Sequence, residues 1–309
     1  MHKSTTVRAS FRRQIFKRWQ LYVMLALPVI YLLIFCYYPM AGIQIAFKKY
    51  TGRLGIWGSQ WVGLKHFIKF FDSYQFWNIL RNTLTISLYT ILASLPFAVI
   101  LALCLNATKS KPFKKSVQLM TYMPNFISTV VMVGMLKQLL GTQVGLYAQI
   151  TSVLHLPATD LFGSSSAFPH LYAWSNVWQK TGWSSIIYLA ALSAVDPAHH
   201  EAAIVDGATR FQRILHIDLP TIFPTIMIML ILSMGQVMSL GFERIYLMQT
   251  DLNLSSSEII STYVYKVGLT GSADYSYSTA INLFNSVVNM ALILGVNFLA
   301  KKTGNSGLF

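Results

Sequence analysis

Long uncharged runs alternate with short polar segments along most of the chain. Five runs carry no charged residue, at 21–47, 82–108, 116–136, 219–242 and 275–300. A sixth run, at 173–195, carries only Lys180. Since a helix needs about 20 apolar residues to cross a bilayer, the pattern predicts an all-α polytopic membrane protein. Its six expected spanning helices lie at 21–46, 82–105, 117–138, 173–195, 221–241 and 277–299.

The composition agrees with a membrane protein. Hydrophobic residues make up 54% of the 309 residues and charged residues only 11%, whereas soluble domains carry roughly 25% charged residues. The two cysteines, Cys36 and Cys104, lie in different apolar runs, where cysteine behaves as a small hydrophobic residue. We therefore expect neither a disulfide nor a metal site.

Basic residues near helix ends predict the orientation. Residues 1–20 contain six Lys or Arg and no acid, and 106–116 contain four lysines. Short basic segments stay in the cytoplasm, so the N-terminus is expected there, binding anionic lipid and not nucleic acid. Six basic residues between Lys48 and Arg81 conflict with this rule, because that loop falls outside. The predicted organisation is a cytoplasmic tail at 1–20, one membrane domain at 21–300 and a second cytoplasmic tail at 301–309.

The polar segment at 196–220 has its own helical pattern. Asp196 and Pro197 form a typical helix start, and Gly207 permits a sharp change of direction. We expect two short helices with a bend, followed by a spanning helix after Asp218 and Pro220. One apolar stripe follows helical spacing, formed by Ile204, Ala208, Phe211 and Leu215.

This segment resembles the EAA loop of permease subunits in bacterial ABC importers. The family pattern is E-A-A, three residues, G, nine residues, I, one residue, L-P. The chain matches it at every gap, with Glu201, Ala202, Ala203, Gly207, Ile217, Leu219 and Pro220, and Asp206 and Ala208 also fit. The stretch "WVGLKHF" at 61–67 is similar to maltose-type sugar permeases, although His66 replaces the usual Asn. The opening at 22–40 resembles the LplB-like subgroup that imports oligosaccharides or polysaccharide fragments.

The resemblance implies a type I ABC importer (MetI-like) permease fold with a cytoplasmic coupling helix, in a bacterial cell membrane. It implies a pore subunit that passes an oligosaccharide or related sugar inward from an extracellular binding protein. The implied partners are a second, usually different, permease and a dimer of ATPase subunits that bind ATP and Mg. This chain would be no enzyme and hold no cofactor, and no G-x-x-x-x-G-K-[ST] loop occurs in it. The implied ATPase-coupling residues are the matched positions above and Phe211.

Two other functions remain open. A permease for a non-sugar solute would carry the same loop. A secondary transporter would need buried acidic residues for ion coupling, and the predicted spanning runs hold none.

Polar residues inside the predicted spans are candidates for binding the substrate. Asn176, Lys180 and Trp183 share one helical face, and Gln179 lies beside them. Amides and aromatic rings suit a saccharide, although Lys180 would also fit as a residue whose ammonium reaches the membrane surface. The resemblance adds Ser233 and Gln236, since the helices flanking the EAA loop line the sugar site in maltose-type permeases. A further polar stripe favours hydrogen bonding between helices, with Asn282, Asn285 and Asn289 as its members.

Overall fold

The computed structural model describes residues 18–270 and 273–302. About three quarters of the chain is helical, at 76%, which confirms the all-α class. The first helix, α1 (Trp19–Leu32), continues through a π-helical turn (Leu33–Tyr37) and a 3-10 helix (Tyr38–Phe47). Residues 1–17, with most of the predicted basic tail, and 303–309 lie outside the described residues. The remaining helices are α2 (Gly55–Gly58), α3 (Lys65–Phe71), α4 (Phe76–Ala107), α5 (Lys111–Tyr122), α6 (Thr129–Leu139), α7 (Leu146–Val153), α8 (Phe168–Leu192), α9 (Pro197–Val205), α10 (Arg210–Arg213), α11 (Leu219–Met234), α12 (Phe242–Met248), α13 (Leu254–Ser257), α14 (Ile260–Leu269) and α15 (Tyr275–Lys302).

Four of the described helices are long and apolar enough to cross a membrane. They are Trp19–Phe47, Phe76–Ala107, Arg210–Met234 and Tyr275–Lys302. A fifth candidate is the pair Lys111–Phe126 and Thr129–Leu139, bent by 101°. Helix α8 has 25 residues, enough in length, but is less apolar than these. The count of six spans stays a prediction.

Helices α4, α8 and α11 form the centre of the bundle. Ala98 and Ala102 of α4, Tyr188 and Leu192 of α8 and Ile222 of α11 belong to one buried cluster. Small residues let helix backbones approach closely within a membrane. Gly182 of α8 shows this directly, because a Cβ atom there would overlap the backbone oxygen of Thr121 on α5.

Helix α1 stands apart from this core. None of the residues in Trp19–Leu32 is buried, and the side chains of Met24 and Leu27 are 74% and 75% exposed. So large an apolar surface requires lipid or another protein to cover it. Beyond α1 the chain forms a two-stranded antiparallel hairpin, in which β1 (Lys48–Lys49) pairs with β2 (Gln60–Trp61).

Two predicted helices have different bounds in the structure. The run 117–138 is broken: a 3-10 turn at Met123–Phe126 contains Pro124, and Ser128 accepts a hydrogen bond from Val131 N to begin α6. The expected helix 221–241 instead begins at Arg210 and ends at Met234. A π-helical turn, Ile214–Asp218, carries the helix through Asp218, so this acid lies inside a helix and not before one. The segment between α6 and α8 contains one short helix, α7.

Candidate functional sites

The 196–220 segment forms two short helices joined at a bend, as expected. Asp196 Oδ1 accepts a hydrogen bond from Ala198 N at 2.9 Å, and Pro197 occupies the first turn of α9. Gly207 has a φ of +78°, a left-handed conformation that glycine adopts without the strain other residues meet. No atom lies within 4 Å of where its Cβ would be. The backbone conformation, and not crowding, is therefore what requires glycine at the bend.

Helix α10 begins with a capping box. Thr209 Oγ1 accepts from Gln212 N at 3.3 Å, and Gln212 Oε1 accepts from Thr209 N at 2.7 Å. This T-x-x-Q signature was readable in the sequence. From Arg210 the helix runs without a break to Met234, 25 residues and about 38 Å long.

The surface of the segment is open and partly apolar. Ile204, Val205 and Phe211 are 55%, 87% and 72% exposed. A single exposed apolar residue is ordinary on a protein surface, but here three of them fall within one short segment. The remaining coupling candidates are divided between two groups. Glu201, Ala202, Asp206, Gly207 and Pro220 are exposed, and Ala203, Ala208, Ile217 and Leu219 are half-buried. A contiguous exposed patch of this kind suits contact with another protein.

A histidine of α9 lies against a buried acid at the base of α11. His200 Nε2 lies 3.2 Å from Asp218 Oδ1, and the Asp218 side chain is only 5% exposed. Asp218 Oδ1 nevertheless forms no hydrogen bond of good geometry among the described residues, so the imidazole lies near the carboxylate without satisfying it.

A buried arginine organises the middle of α8. Arg244 of α12 is 6% exposed. Its Nη1 donates to Asn176 Oδ1 at 3.2 Å, and its Nη2 donates to Gln179 Oε1. The guanidinium carbon also lies 5.8 Å from the centroid of the Tyr172 ring. Arg244 follows the predicted span 221–241, and a single arginine beside apolar residues there gives no signal of burial.

Asn176 and Gln179 have further partners in the same network. Asn176 Nδ2 donates to Ser94 Oγ on α4 at 3.2 Å. Gln179 Nε2 donates to the backbone oxygen of Ile127 at 2.8 Å, at the break between α5 and α6. The network thus ties α4, α8 and α12 to the bent pair. Both amides are engaged within the protein, with Gln179 buried and Asn176 half-buried.

Lys180 and Trp183 extend along the exposed side of α8. Lys180 Nζ donates to Asn125 Oδ1 at 3.0 Å, and the Trp183 ring packs edge-on against Phe126 with centroids 5.8 Å apart. Both partners lie in the 3-10 turn before the break. An ammonium group and an indole ring are therefore held side by side on an open surface of the bundle.

The other candidates, Ser233 and Gln236, lie where α11 ends. Ser233 Oγ donates back to Met229 O at 2.8 Å, and Gln236 is exposed in the turn that follows. Asn289 of α15 holds this turn, accepting from Met238 N at 3.0 Å and donating to Ser239 Oγ at 2.9 Å. The favoured structural role is therefore confirmed for Asn289. A non-helical turn such as this one, if it lies at membrane depth, must be surrounded by protein or by a water-filled cavity.

Residues 94–305 match the model of the family described as binding-protein-dependent transport system inner membrane component. The chain belongs to this family. The matched region contains the 196–220 segment, Arg244 and every candidate substrate residue. The permease fold is thus shown by most of the chain and not by one motif.

Similar proteins include some that are named for the transport of sugar polymers. The permease is 42% identical to the LplB protein of Bacillus subtilis over 94% of this chain and 91% of that protein. It is equally identical to the polygalacturonan/rhamnogalacturonan transport system permease YteP of the same organism, over 94% and 90%. A crystal structure of a bacterial alginate ABC transporter, in complex with an alginate pentasaccharide-bound periplasmic protein, contains a chain with a TM-score of 0.88 and 37% identity. That match covers 96% of the permease and 99% of the other chain.

Neither cysteine of the permease is in a disulfide, and both thiols are exposed. Within residues 18–270 and 273–302, no group of three or more His, Cys, Asp or Glu side chains is placed to hold a metal ion.

Proposed function

We propose that the permease is a transmembrane subunit of an ATP-driven importer that passes an oligosaccharide, including sugars with carboxylate groups, into the cytoplasm. The observation that carries this proposal is the exposed, hinged 196–220 segment, which continues as one helix into the bundle. Such a segment suits a mechanical link to a separate motor. The acidic sugar class is supported by relatives named for polygalacturonan and alginate.

The proposed complex contains a second permease, two ATPase subunits and an extracellular binding protein. The N-terminus, the turn after α4 and the 196–220 segment face the cytoplasm in this arrangement, and α12 to α14 face outward. The exposed apolar surface of α1 is available to lipid or to the second permease. The ATPase subunits bind ATP and Mg, and this chain holds no cofactor and hydrolyses nothing.

The proposed mechanism uses α10 and α11 as a lever. When ATP closes the ATPase dimer, the segment moves with it and tilts α11. The turn at 235–241 and the network around Arg244 lie at the other end of that helix. ATP can drive this change only by binding the two states unequally. Shifting a population from 1:99 to 99:1 requires about 5.5 kcal/mol of such a difference.

The experiment that tests the function is uptake in cells lacking the gene. Deletion is expected to abolish import of labelled uronate oligosaccharides, and the gene in trans is expected to restore it. Undiminished uptake in the deletion strain would refute the proposed substrate class. Uptake that fails to respond to depletion of ATP would refute an ATP-driven importer.

Glu201 is proposed to contact a basic residue of the ATPase. It is exposed, and among the described residues its carboxylate has no ion-pair partner. Glu201→Lys is expected to reduce ATPase retained on the purified permease at least tenfold, because a charge-assisted contact is replaced by repulsion. Quantitative immunoblotting of the purified complex measures this. Asp251→Lys, the same charge change at an exposed outer residue, is the control, and equal retention in both variants would argue against the contact.

Lys180 is proposed to bind a carboxylate of the passing sugar. Lys180→Gln is expected to lower the maximal uptake rate of a uronate oligosaccharide about tenfold, since a hydrogen bond to a charged group is lost. Uptake of a neutral oligosaccharide and sugar binding by the isolated binding protein should not change. Lys302→Gln, at an exposed position at the end of α15, provides the matched control. Equal slowing of neutral and acidic sugars would indicate a structural role for Lys180.

A further inference from the structure

A cavity of about 260 Å³ lies where the end of α4 meets α9 and α10. It is separate from Arg244 and from the substrate candidates on α8. The cavity is strongly basic, because one lysine and two arginines line it. The polar residues of its wall are Asn106, Lys109, His200, Arg210, Arg213 and Asp218.

The three cations of this cavity are unpaired among the described residues. Lys109, Arg210 and Arg213 have no carboxylate oxygen within 4.0 Å in that part of the chain. Moreover, Nε of Arg213 is buried and has no hydrogen-bond acceptor. A buried donor without an acceptor costs about 1–3 kcal/mol, and such groups in native structures call for an explanation. The arrangement indicates an acceptor supplied from outside the chain.

The one acid of the wall does not neutralise the cavity. Asp218 is 5% exposed on its side chain, and its Oδ1 lies 3.2 Å from His200 Nε2 but is buried with no hydrogen bond of its own among the described residues. Its single negative charge therefore leaves a net charge of at least about +2 from the lysine and two arginines. Arginine forks match the oxygen geometry of phosphate. A compact anion with several acceptor oxygens satisfies both the charge and the unpaired Nε donor.

The position of the cavity also favours a phosphate. It lies at the end of the spanning helix α4, beside the basic turn that holds Lys109, Lys111, Lys114 and Lys115. In the orientation of the proposed function, this end lies at the cytoplasmic leaflet, where anionic phospholipids attract basic side chains. The walls come from α4 on one side and from α9 and α10 on the other. A ligand here would bridge the bundle and the hinged segment.

We propose that this cavity binds a phosphate group, either of an anionic phospholipid or of free inorganic phosphate, and that the bound group ties α4 to α9 and α10. The site does not depend on which sugar is imported. It remains testable if the substrate proposal fails, because the readout is binding and not transport.

The test uses the purified importer complex with two probes. In the first arm, native mass spectrometry measures how much phosphatidylglycerol the detergent-solubilised complex retains. Phosphatidylcholine is the comparison lipid, because the positive charges of the wall would repel its choline cation. In the second arm, equilibrium dialysis follows radiolabelled inorganic phosphate. We expect saturable binding in at least one arm, weakened about tenfold or more by Arg210→Gln with Arg213→Gln. Binding of phosphatidylglycerol alone assigns a lipid site, and binding of inorganic phosphate assigns a soluble ligand.

Two further variants keep the result interpretable. Lys111→Gln removes an exposed charge from the same face but outside the cavity wall, and it should leave binding unchanged. Lys109→Gln changes one exposed side chain after the end of α4, so it should weaken binding without disturbing the fold, even if the double variant is unstable. Failure of the wild-type complex to bind either probe would overturn the proposal. So would equal binding by wild type, Lys109→Gln and the double variant.

Discussion

Replacing Arg244 with alanine is expected to lower the melting temperature of the purified permease by about 10 °C. The change leaves the amide oxygens of Asn176 and Gln179 without the donor that each has now. Each unsatisfied buried acceptor costs about 1–3 kcal/mol. Thermal unfolding in detergent, followed by tryptophan fluorescence, measures the loss. Arg244→Lys should recover only part of it, because an ammonium group lacks the fork that donates from two nitrogens.

The matched control for Arg244 is Arg53→Ala. Arg53 is exposed in the first loop and contacts none of the candidate residues. Its removal is expected to leave the melting temperature near that of the wild type, since surface substitutions usually change stability by less than about 0.5 kcal/mol. Equal melting temperatures for Arg244→Ala and Arg53→Ala would show that the Arg244 network does not stabilise the bundle.

Replacing Gly207 with leucine is expected to cut uptake about tenfold or more while ATP hydrolysis continues. The left-handed backbone at Gly207 costs a branched residue about 1–2 kcal/mol, so the bend between α9 and α10 would open or shift. The ATPase subunits would still hydrolyse ATP, but their movement would no longer displace α11 in the same direction. Uptake and hydrolysis measured on the same proteoliposomes give the ratio of sugar moved to ATP spent.

Gly207→Asn separates backbone conformation from side-chain size. Asparagine has as many side-chain heavy atoms as leucine and branches at the same carbon, Cγ, but it tolerates the left-handed region better. No atom lies within 4 Å of the position of a Cβ, so the Cβ of either side chain meets no clash. We expect the asparagine variant to keep much of its uptake. Wild-type uptake by Gly207→Leu would contradict the lever mechanism.

Much of the bundle could be predicted from the sequence because its physical signals are local. Uncharged runs mark apolar helices without reference to neighbours, and an acid before a proline marks the start of α9. A glycine between two helical patterns marks the bend. These are properties of a few consecutive residues, so no knowledge of packing was needed.

The arginine network could not be predicted in this way. Burial of Arg244 depends on acceptors from α8, which are 65 and 68 residues away in sequence. The break at 235–241 is likewise stabilised by Asn289, which is 51 residues from Met238. No charged residue interrupts the run 219–242, so the turn looks like part of an uninterrupted helix. The proximity of His200 to Asp218 depends in the same way on the π-helical turn that brings α9 to the base of α11.

The most direct test of the central claim is site-specific photo-crosslinking from the 196–220 segment in the assembled complex. A benzophenone amino acid is placed at Val205, whose side chain is 87% exposed on α9, and in a second variant at Leu252, 73% exposed in the outer segment. The account predicts that Val205 crosslinks to the ATPase subunit and that Leu252 does not. A transport-competent complex in which Val205 yields no ATPase adduct would contradict it.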